Sequence, residues 1–265
     1  MSRLSHSGLA AGAATLWIAG AGMRSRLYDL GVLRRNRLRA PVISVGNLSW
    51  GGTGKTPFTI WLAQQLQAEG LRVSVLTRGY GRLSREAMKV LPPGTTPESS
   101  RADGDEVQLY LRRLQVPIGI SNSRYQAGRA VEAEYSVDLH LLDDGFQHLR
   151  LERDLDLVLV DASNPWGARP GWPLLLREGF SSLRRAHAVL LTRCEHAMQH
   201  PSIEELKAGL NSFHPGIPCY EVSTRLAGFR ESAEHGPAPD AVAVEQLEGR
   251  QVMAFCALEI GRAHV

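Results

Sequence analysis

The feature that most constrains this chain is the Gly-rich octapeptide SWGGTGKT at residues 49–56. It lies between an apolar segment with strand character at 41–45 and a segment whose apolar residues recur at helical spacing. Glycines let the backbone turn its N–H groups toward an anion, a Lys can reach the terminal phosphates, and a Thr hydroxyl can bind Mg²⁺. The usual pattern G-x-x-x-x-G-K-[ST] begins with Gly, and here its first position is Ser49. The strand–loop–helix context nevertheless matches the motif. The predicted nucleotide-binding residues are Ser49, Trp50, Gly51, Gly52, Thr53, Gly54, Lys55 and Thr56.

Lysine usage supports this prediction. The chain has 265 residues and 30 Lys plus Arg, of which only three are lysines, and one of these is Lys55. A compact ammonium on a flexible stem suits terminal phosphates, whereas a planar guanidinium would crowd the loop. The net charge of +3 gives no reason to expect nucleic acid as a partner. The three cysteines are widely spaced, which indicates neither a disulfide framework nor a zinc site.

Alternation of apolar strands with helices predicts the fold class. Strands are predicted at 71–77, 116–120, 137–142, 155–160, 188–192, 219–223 and 251–255, and helices at 104–114, 123–134 and 203–213. Residues 91–104 contain several prolines and are predicted to form a loop. This pattern indicates an α/β fold of the P-loop type, with a mostly parallel sheet and helices on both faces. Ligands of such sheets bind at the carboxyl ends of the strands, so the functional residues are expected there.

Three regions are predicted along the chain. Residues 1–40 form an N-terminal helix and basic segment, residues 41–215 the P-loop core, and residues 216–265 linker strands and a smaller α/β lobe. An apolar stretch at 8–23 precedes six arginines, and it is shorter than the roughly 20 residues that a membrane span requires. A secretory signal would carry its charge before the apolar part. Two interpretations stay open: a helix lying in a membrane interface with arginines on anionic headgroups, or a helix packed on the domain.

Carboxylates follow the loop at two places. The predicted strand 137–142 ends in Asp143 and Asp144, where a P-loop protein places the carboxylate that holds Mg²⁺. Two adjacent aspartates are unfavourable there unless a cation neutralises them. Asp105 and Glu106 open a predicted helix, where acids are favoured by the helix dipole. A general base near the γ-phosphate is the other interpretation, and spacing alone does not separate the two.

Four motifs in this order, GNLSWGGTGKTP, TRGYGR, DGDE and LLDDGFQH, give the chain a family resemblance. From about residue 27 to residue 255 it resembles the tetraacyldisaccharide 4′-kinases (lipid A 4′-kinases) of Gram-negative bacteria. The resemblance implies transfer of the γ-phosphate of ATP, with Mg²⁺, to the 4′-hydroxyl of a lipid-linked glucosamine disaccharide 1-phosphate. It also implies a peripheral location at the cytoplasmic face of the inner membrane, and thereby favours membrane contact by the N-terminal segment.

The resemblance also implies roles for individual residues. The expected catalytic residues are Asp105 as the base, Lys55 and Asp144. The expected metal-binding residues are Thr56, Glu106, Asp143 and Asp144. The expected substrate residues are Arg78, Gln147, His148 and Arg177. The last of these belongs to a segment at 167–178 that resembles the family's Pro-Leu-Arg-Glu loop only loosely.

The C-terminal part departs from the family pattern. The resemblance implies a further lobe with an Asp-His-His element after the strand predicted at 251–255. Here the chain ends in EIGRAHV (259–265), which looks like translated sequencing-adapter read-through. We therefore expect the native chain to continue and the smaller lobe to be incomplete in this sequence. His264 does not take the place of the histidine in that element.

Three alternatives use the same loop. Partition-type ATPases carry a Lys early in the loop, where this chain has Ser49 and Trp50, and they lack the DGDE and DDGFQH motifs. A GTPase would show Asn-Lys-x-Asp where this chain has TRCE at 192–195. The third alternative is a fragment that binds the nucleotide without catalysing transfer.

Overall fold

The computed structural model describes residues 3–83, 86–167, 175–196 and 201–224. Within them, eight strands form one sheet in the order β3-β4-β2-β5-β1-β6-β7-β8. The strands are β1 Val42–Asn47, β2 Val73–Thr77, β3 Met88–Leu91, β4 Ile118–Ser121, β5 Leu139–Asp143, β6 Leu155–Asp161, β7 Ala188–Thr192 and β8 Cys219–Val222. The α-helices are α1 Arg3–Asp29, α2 Lys55–Ala68, α3 Asp105–Arg113, α4 Arg124–Glu134 and α5 Ile203–Phe213.

The helices cover both faces of the sheet, as the alternating pattern predicted. The interior strands are apolar runs buried on both sides, so neighbouring residues pack in opposite directions. Val75 of β2 packs with Tyr110 of α3, whereas the next residue, Leu76, packs with Ala127 and Val131 of α4. The predicted α/β P-loop fold with a mostly parallel sheet is therefore confirmed.

Strand order brings the loop and the carboxylates to one edge. β1 lies between β5 and β6 and is parallel to both, with Val45 opposite Asp143. The loop after β1 and the end of β5 therefore meet at the carboxyl edge of the sheet. From β1 the chain builds the sheet outward in both directions, toward β5 and β2 on one side and toward β6 and β7 on the other. Open α/β sheets bind ligands at such a switch point, outside the carboxyl ends of the strands.

One strand was missed by sequence reasoning. β3 pairs antiparallel with β4 at the sheet edge. Its residues are mostly half-buried or exposed, so it lacks the apolar run that marks the interior strands. A 3₁₀ segment at Pro97–Asp103 also lies within the predicted loop at 91–104. β8 pairs with β7, so the sheet extends past residue 215, where the core was predicted to end. The strand predicted at 251–255 and the smaller lobe lie outside the described residues.

The N-terminal helix α1 packs on the domain and also exposes apolar side chains. Ile18 contacts the hydrophobic core and Tyr28 is buried. Leu16 and Met23 of α1 and Leu30, which directly follows the helix, recur every seven residues and are 76%, 66% and 77% exposed, so they form an exposed apolar stripe. Among the described residues, no helix combines the length and apolarity required for crossing a bilayer.

Some of the arginines after α1 bind acids of the protein. Arg35 pairs with Asp29 at 2.7 Å. Arg37 pairs with Glu152 at 2.7 Å and with Asp154 at 2.9 Å. The Arg37 contacts tie the basic segment to the residues that precede β6. Arg35 and Arg37 are thus paired within the protein, whereas one of the two interpretations placed arginines on headgroups.

Candidate active site

The loop after β1 has the geometry of an anion-binding turn. Gly54 adopts the left-handed conformation with φ 86°, which a residue with a side chain rarely adopts. Helix α2 begins at the next residue, so its unpaired N–H groups and positive dipole end face the loop. Lys55 is 11% exposed, and its Nζ lies 3.5 Å from Oδ1 of Asp144. Loop, helix terminus and ammonium thus converge on one point.

Asp143 and Asp144 are adjacent in sequence but lie in different surroundings. Asp143 ends β5, and its Oδ2 accepts hydrogen bonds from the Tyr110 hydroxyl at 2.6 Å and from Thr56 Oγ1 at 3.5 Å. Burial raises the pKa of Asp143. Burial acts on Asp144 in the same direction, but the charges of Lys55 and Arg177 outweigh it and lower the pKa of Asp144. The second aspartate is therefore the anionic partner of the two cations.

The acids at the start of α3 also differ from one another. Glu106 accepts a hydrogen bond from Thr77 Oγ1 at 3.2 Å. Burial first, and then the charges of Asp143 and Asp144, raise the pKa of Glu106 to about 7. Asp105, the first residue of the helix, is exposed. The structure therefore brings Glu106 into the carboxylate cluster and leaves Asp105 at the surface beside it.

Gly104 sets the position of this acidic pair. Its φ is 103°, and a Cβ there would lie 2.3 Å from the carbonyl oxygen of Tyr80. Any other residue would push α3 away from the loop that follows β2. The DGDE motif therefore requires its glycine for a steric reason.

The donor set fits a magnesium ion that is shared with a nucleotide. In the described ranges, no three His, Cys, Asp or Glu side chains form a group that could hold a metal by themselves. Mg²⁺ commonly binds one or two carboxylates and takes its remaining ligands from phosphates and water. Of the predicted metal residues, Thr56 and Asp143 contact each other and Glu106 lies in the same cluster. Both carboxylate oxygens of Asp144 instead accept from Arg177 Nη1, at 2.7 and 2.6 Å.

A cavity of about 550 Å³ lies between α1 and the carboxyl edge of the sheet. All four predicted substrate residues line it: Arg78, Gln147, His148 and Arg177. Sequence reasoning missed further lining residues, which include Trp17, Arg24, Arg124 and Glu178. Asp144 and Trp50 belong to both the cavity and the nucleotide-loop region, so the two regions share a wall.

Residues 175–177, at the end of the segment 167–178, contact the nucleotide loop. Leu176 forms an antiparallel bridge with Ser49, and the N–H of Trp50 donates to the carbonyl of Leu175 at 2.9 Å. The Trp50 amide is therefore occupied within the protein, while its ring lies 4.9 Å from the Arg177 guanidinium. Residues 168–174 of the same segment lie outside the described ranges.

Helix α1 forms the opposite wall of the cavity. The indole N–H of Trp17 donates to the carbonyl of Arg177 at 3.0 Å, and its ring centroid is 6.4 Å from that of Trp50. Arg24 donates to the carbonyl of Gln147 at 2.8 Å. These contacts couple the N-terminal helix to the site, and nothing in the local sequence signals them.

Positive charge accumulates around the cavity. Arg78 donates to the side-chain oxygen of Asn122 at 3.1 Å, and the buried Arg124 donates to the carbonyl of the same residue at 3.4 Å. Amide oxygens do not neutralise these guanidinium groups. Burial, and then the charges of Arg124 and other arginines, lower the pKa of His148 to about 4, so its imidazole is neutral at pH 7. Such a cavity suits an anionic ligand.

Some buried polar atoms in the cavity wall have no hydrogen-bond partner among the described residues. Within the described ranges, Gln147 Oε1, Arg124 Nε and Arg177 Nε are buried without a hydrogen bond. Buried polar groups are normally satisfied, and a polar ligand in the cavity would supply partners for these three atoms. Arg124 follows the carboxyl end of β4, so the expectation that functional residues follow strand ends could have found it.

Comparison with known proteins agrees with the geometry of the site. The model of the tetraacyldisaccharide-1-P 4'-kinase (LpxK) family matches residues 9–263. The chain belongs to this family. A tetraacyldisaccharide 4'-kinase of Syntrophobacter fumaroxidans is 41% identical over 227 residues, which are 85% of this chain and 58% of that protein. The tetraacyldisaccharide 4'-kinase of Pelobacter propionicus is 38% identical over 89% of this chain and 62% of its own length.

The fold comparison gives the same family. A crystal structure of LpxK from Aquifex aeolicus in complex with ATP superposes with a TM-score of 0.68 and 31% identity, covering 95% of this chain and 73% of that one. The family resemblance seen in the motifs is thereby confirmed. The chain spans less than two thirds of the length of the two curated relatives named above.

Proposed function

We propose that this chain is an ATP- and Mg²⁺-dependent kinase that phosphorylates the 4′-hydroxyl of a tetraacyldisaccharide 1-phosphate in lipid A biosynthesis. The observation that carries the proposal is the wall shared by the nucleotide loop and the basic cavity. Asp144 lies 3.5 Å from Lys55 on the loop side and 2.6 Å from Arg177 on the cavity side. A donor phosphate and an acceptor sugar can therefore meet there. Family membership and the ATP complex of the Aquifex aeolicus LpxK support the same assignment.

The nucleotide side uses the loop and the carboxylate cluster. Backbone N–H groups of the loop and Lys55 bind the phosphates. Thr56, Asp143 and Glu106 would hold Mg²⁺, which supplies positive charge to the phosphate oxygens as transfer proceeds. Asp144 pairs with both Lys55 and Arg177, and these ion pairs keep the two cations at the point of phosphate transfer. Phosphoryl transfer depends mainly on such positioning and charge neutralisation.

The acceptor side uses the basic cavity. The arginines and neutral His148 bind the phosphorylated sugar, because guanidinium groups match phosphate oxygens. Asp105 accepts the proton of the 4′-hydroxyl: it is exposed and therefore accessible to a substrate, whereas Glu106 faces the carboxylate cluster. The apolar stripe of α1 contacts the membrane surface from which the lipid is drawn, at the cytoplasmic face of the inner membrane.

The decisive experiment is transfer of ³²P from γ-labelled ATP to a tetraacyldisaccharide 1-phosphate, resolved by thin-layer chromatography. We expect a labelled lipid with the parent chain and none with Lys55→Ala. ATP hydrolysis without lipid labelling would favour a partition-type ATPase. ATP binding without either reaction would indicate a nucleotide-binding fragment.

Membrane contact by α1 has its own test. Met23→Glu places a charge on the exposed stripe, so flotation with anionic phospholipid vesicles should decrease. Met88→Glu on the edge strand β3 is the matched control, since Met88 is 40% exposed and lies outside α1. Equal flotation of both variants would contradict the membrane role of the stripe.

A further inference from the structure

Carbonyl groups of the nucleotide loop are held by side chains from the end of β7. Arg193 follows this strand, and its Nη2 donates to the carbonyl of Gly52 at 2.6 Å. Its neighbour Thr192 donates through Oγ1 to the carbonyl of Thr53 at 3.1 Å. Two consecutive peptide units of the loop are therefore fixed by a strand two positions away from β1 in the sheet.

Asn47 holds the first half of the loop in the same manner. Its Nδ2 donates to the carbonyl of Ser49 at 2.9 Å and lies 3.5 Å from the carbonyl of Gly51. This side chain is fully buried at the end of β1. Three side-chain donors thus bind loop carbonyls from the side of the sheet.

Arg193 is placed for this contact at an energetic cost. Its φ of 56° is in the left-handed region, which a residue with a side chain adopts only when the surrounding structure compensates. An ion pair compensates for this backbone strain: Nη1 of Arg193 pairs with the buried carboxylate of Asp161 at the end of β6. The guanidinium therefore bridges the end of β6 and the loop.

The physical consequence concerns the loop amides. In a planar peptide unit the N–H and C=O point in opposite directions, so a carbonyl fixed toward the sheet directs the amide of the following residue away from it. A charged donor makes this hydrogen bond stronger than a neutral one. Amides fixed before the ligand arrives bind an anion without an ordering cost.

We propose that Arg193 is a positioning residue that preorganises the nucleotide loop, and that Asp161 orients it. The inference rests on the proposed function only in requiring that the loop bind a nucleotide. It assigns a role to a position where GTPases carry their base-reading residues and where the family motifs gave none. A direct contact between Arg193 and the nucleotide phosphates is the competing explanation.

The first test replaces Arg193 by Met. The variant loses a hydrogen bond from a charged donor to the loop, so the Kd for ATP, measured by calorimetry without lipid, should rise at least about tenfold. The KM for ATP should rise similarly while kcat and the KM for lipid change less than about threefold. Arg193→Lys should recover part of the loss. The matched control is Arg72→Met. Arg72 pairs with Asp138 at 2.6 Å where β2 and β5 begin, at the amino ends of the strands, so this variant should leave the Kd for ATP unchanged.

The second test separates positioning from direct contact. Removing the negative charge with Asp161→Asn should weaken ATP binding if Asp161 orients Arg193, and the double variant should bind no more weakly than Arg193→Met alone. If Arg193 touched phosphate, Asp161→Asn would leave ATP binding unchanged or tighter, and this result would overturn the proposal. Thr192→Val is a milder variant, for which a smaller loss of ATP affinity is expected, should Arg193→Met fold poorly.

The outcomes for this inference and for the kinase are distinguishable. If the parent phosphorylates lipid but Arg193→Met keeps a Kd for ATP within twofold of the parent, the positioning role is wrong and the kinase assignment stands. If the parent binds ATP but labels no lipid, and Arg193→Met still weakens ATP binding, the positioning role stands and the kinase assignment is wrong.

Discussion

Glu106→Gln should make the metal-free protein more stable and less active. Glu106 lies against Asp143 and Asp144, and burial together with their charges raises its pKa from 4.5 to about 7. The folded state therefore opposes ionisation of this carboxyl, and a neutral amide of nearly the same shape removes that opposition. The same change replaces a proposed carboxylate ligand of Mg²⁺ by an uncharged amide, which binds the cation more weakly, so we expect the kinase rate to fall by at least about tenfold.

The magnitude follows from proton linkage. Because the pKa of Glu106 is raised in the folded state, its stabilising contribution is complete below pH 4.5 and is lost as the pH rises through about 7. Each pKa unit corresponds to about 1.4 kcal/mol, so the shift of roughly 2.5 units corresponds to at most about 3.5 kcal/mol. Partial solvent access reduces it to about 1–3 kcal/mol. The amide of Glu106→Gln does not ionise. The free energy of unfolding of this variant should therefore exceed that of the parent only slightly at pH 5 and most near pH 8.

Urea unfolding in EDTA at pH 5 and pH 8 measures this difference. Glu98→Gln is the control, since Glu98 is exposed and lies outside the carboxylate cluster, and it should not change the free energy of unfolding at either pH. Addition of Mg²⁺ and ATP should stabilise the parent more than Glu106→Gln, because a cation relieves the repulsion among the carboxylates. An equal free-energy difference between Glu106→Gln and the parent at pH 5 and pH 8 would refute the argument.

Three further changes test the site. Lys55→Ala should stay folded but lose at least about a hundredfold in lipid phosphorylation, and a variant of near-parental activity would contradict the assignment of the loop. Asp105→Asn should remove the lower pKa from the pH–rate profile, and an unchanged profile would exclude the base role. Tyr110→Phe removes the donor at 2.6 Å from Asp143, so urea unfolding should show a loss of about 1–3 kcal/mol, and the Mg²⁺ concentration for half-maximal rate should change. Parental values of both quantities would show that the Tyr110 hydroxyl does not position Asp143.

The nucleotide loop and the position of the carboxylates could be predicted because both depend on local pattern. A strand, a Gly-rich turn and a helix are adjacent in sequence, and their geometry follows from a few backbone conformations such as that of Gly54. Asp143 could be located because parallel strands of a sheet end at the same edge. The edge strand β3 could not, since its four residues form neither an unbroken apolar run nor an alternation of apolar and polar residues.

The sequence by itself determined the α/β fold, the anion-binding loop and the family. Tertiary structure alone decided which of two adjacent acids does what: Asp143 meets Thr56 and Tyr110, whereas Asp144 meets Lys55 and Arg177. Neighbouring residues after a strand point in different directions, and a pKa depends on burial and on charges distant in sequence. The docking of α1 on the cavity likewise comes from contacts between residues more than a hundred positions apart. No local pattern encodes such contacts.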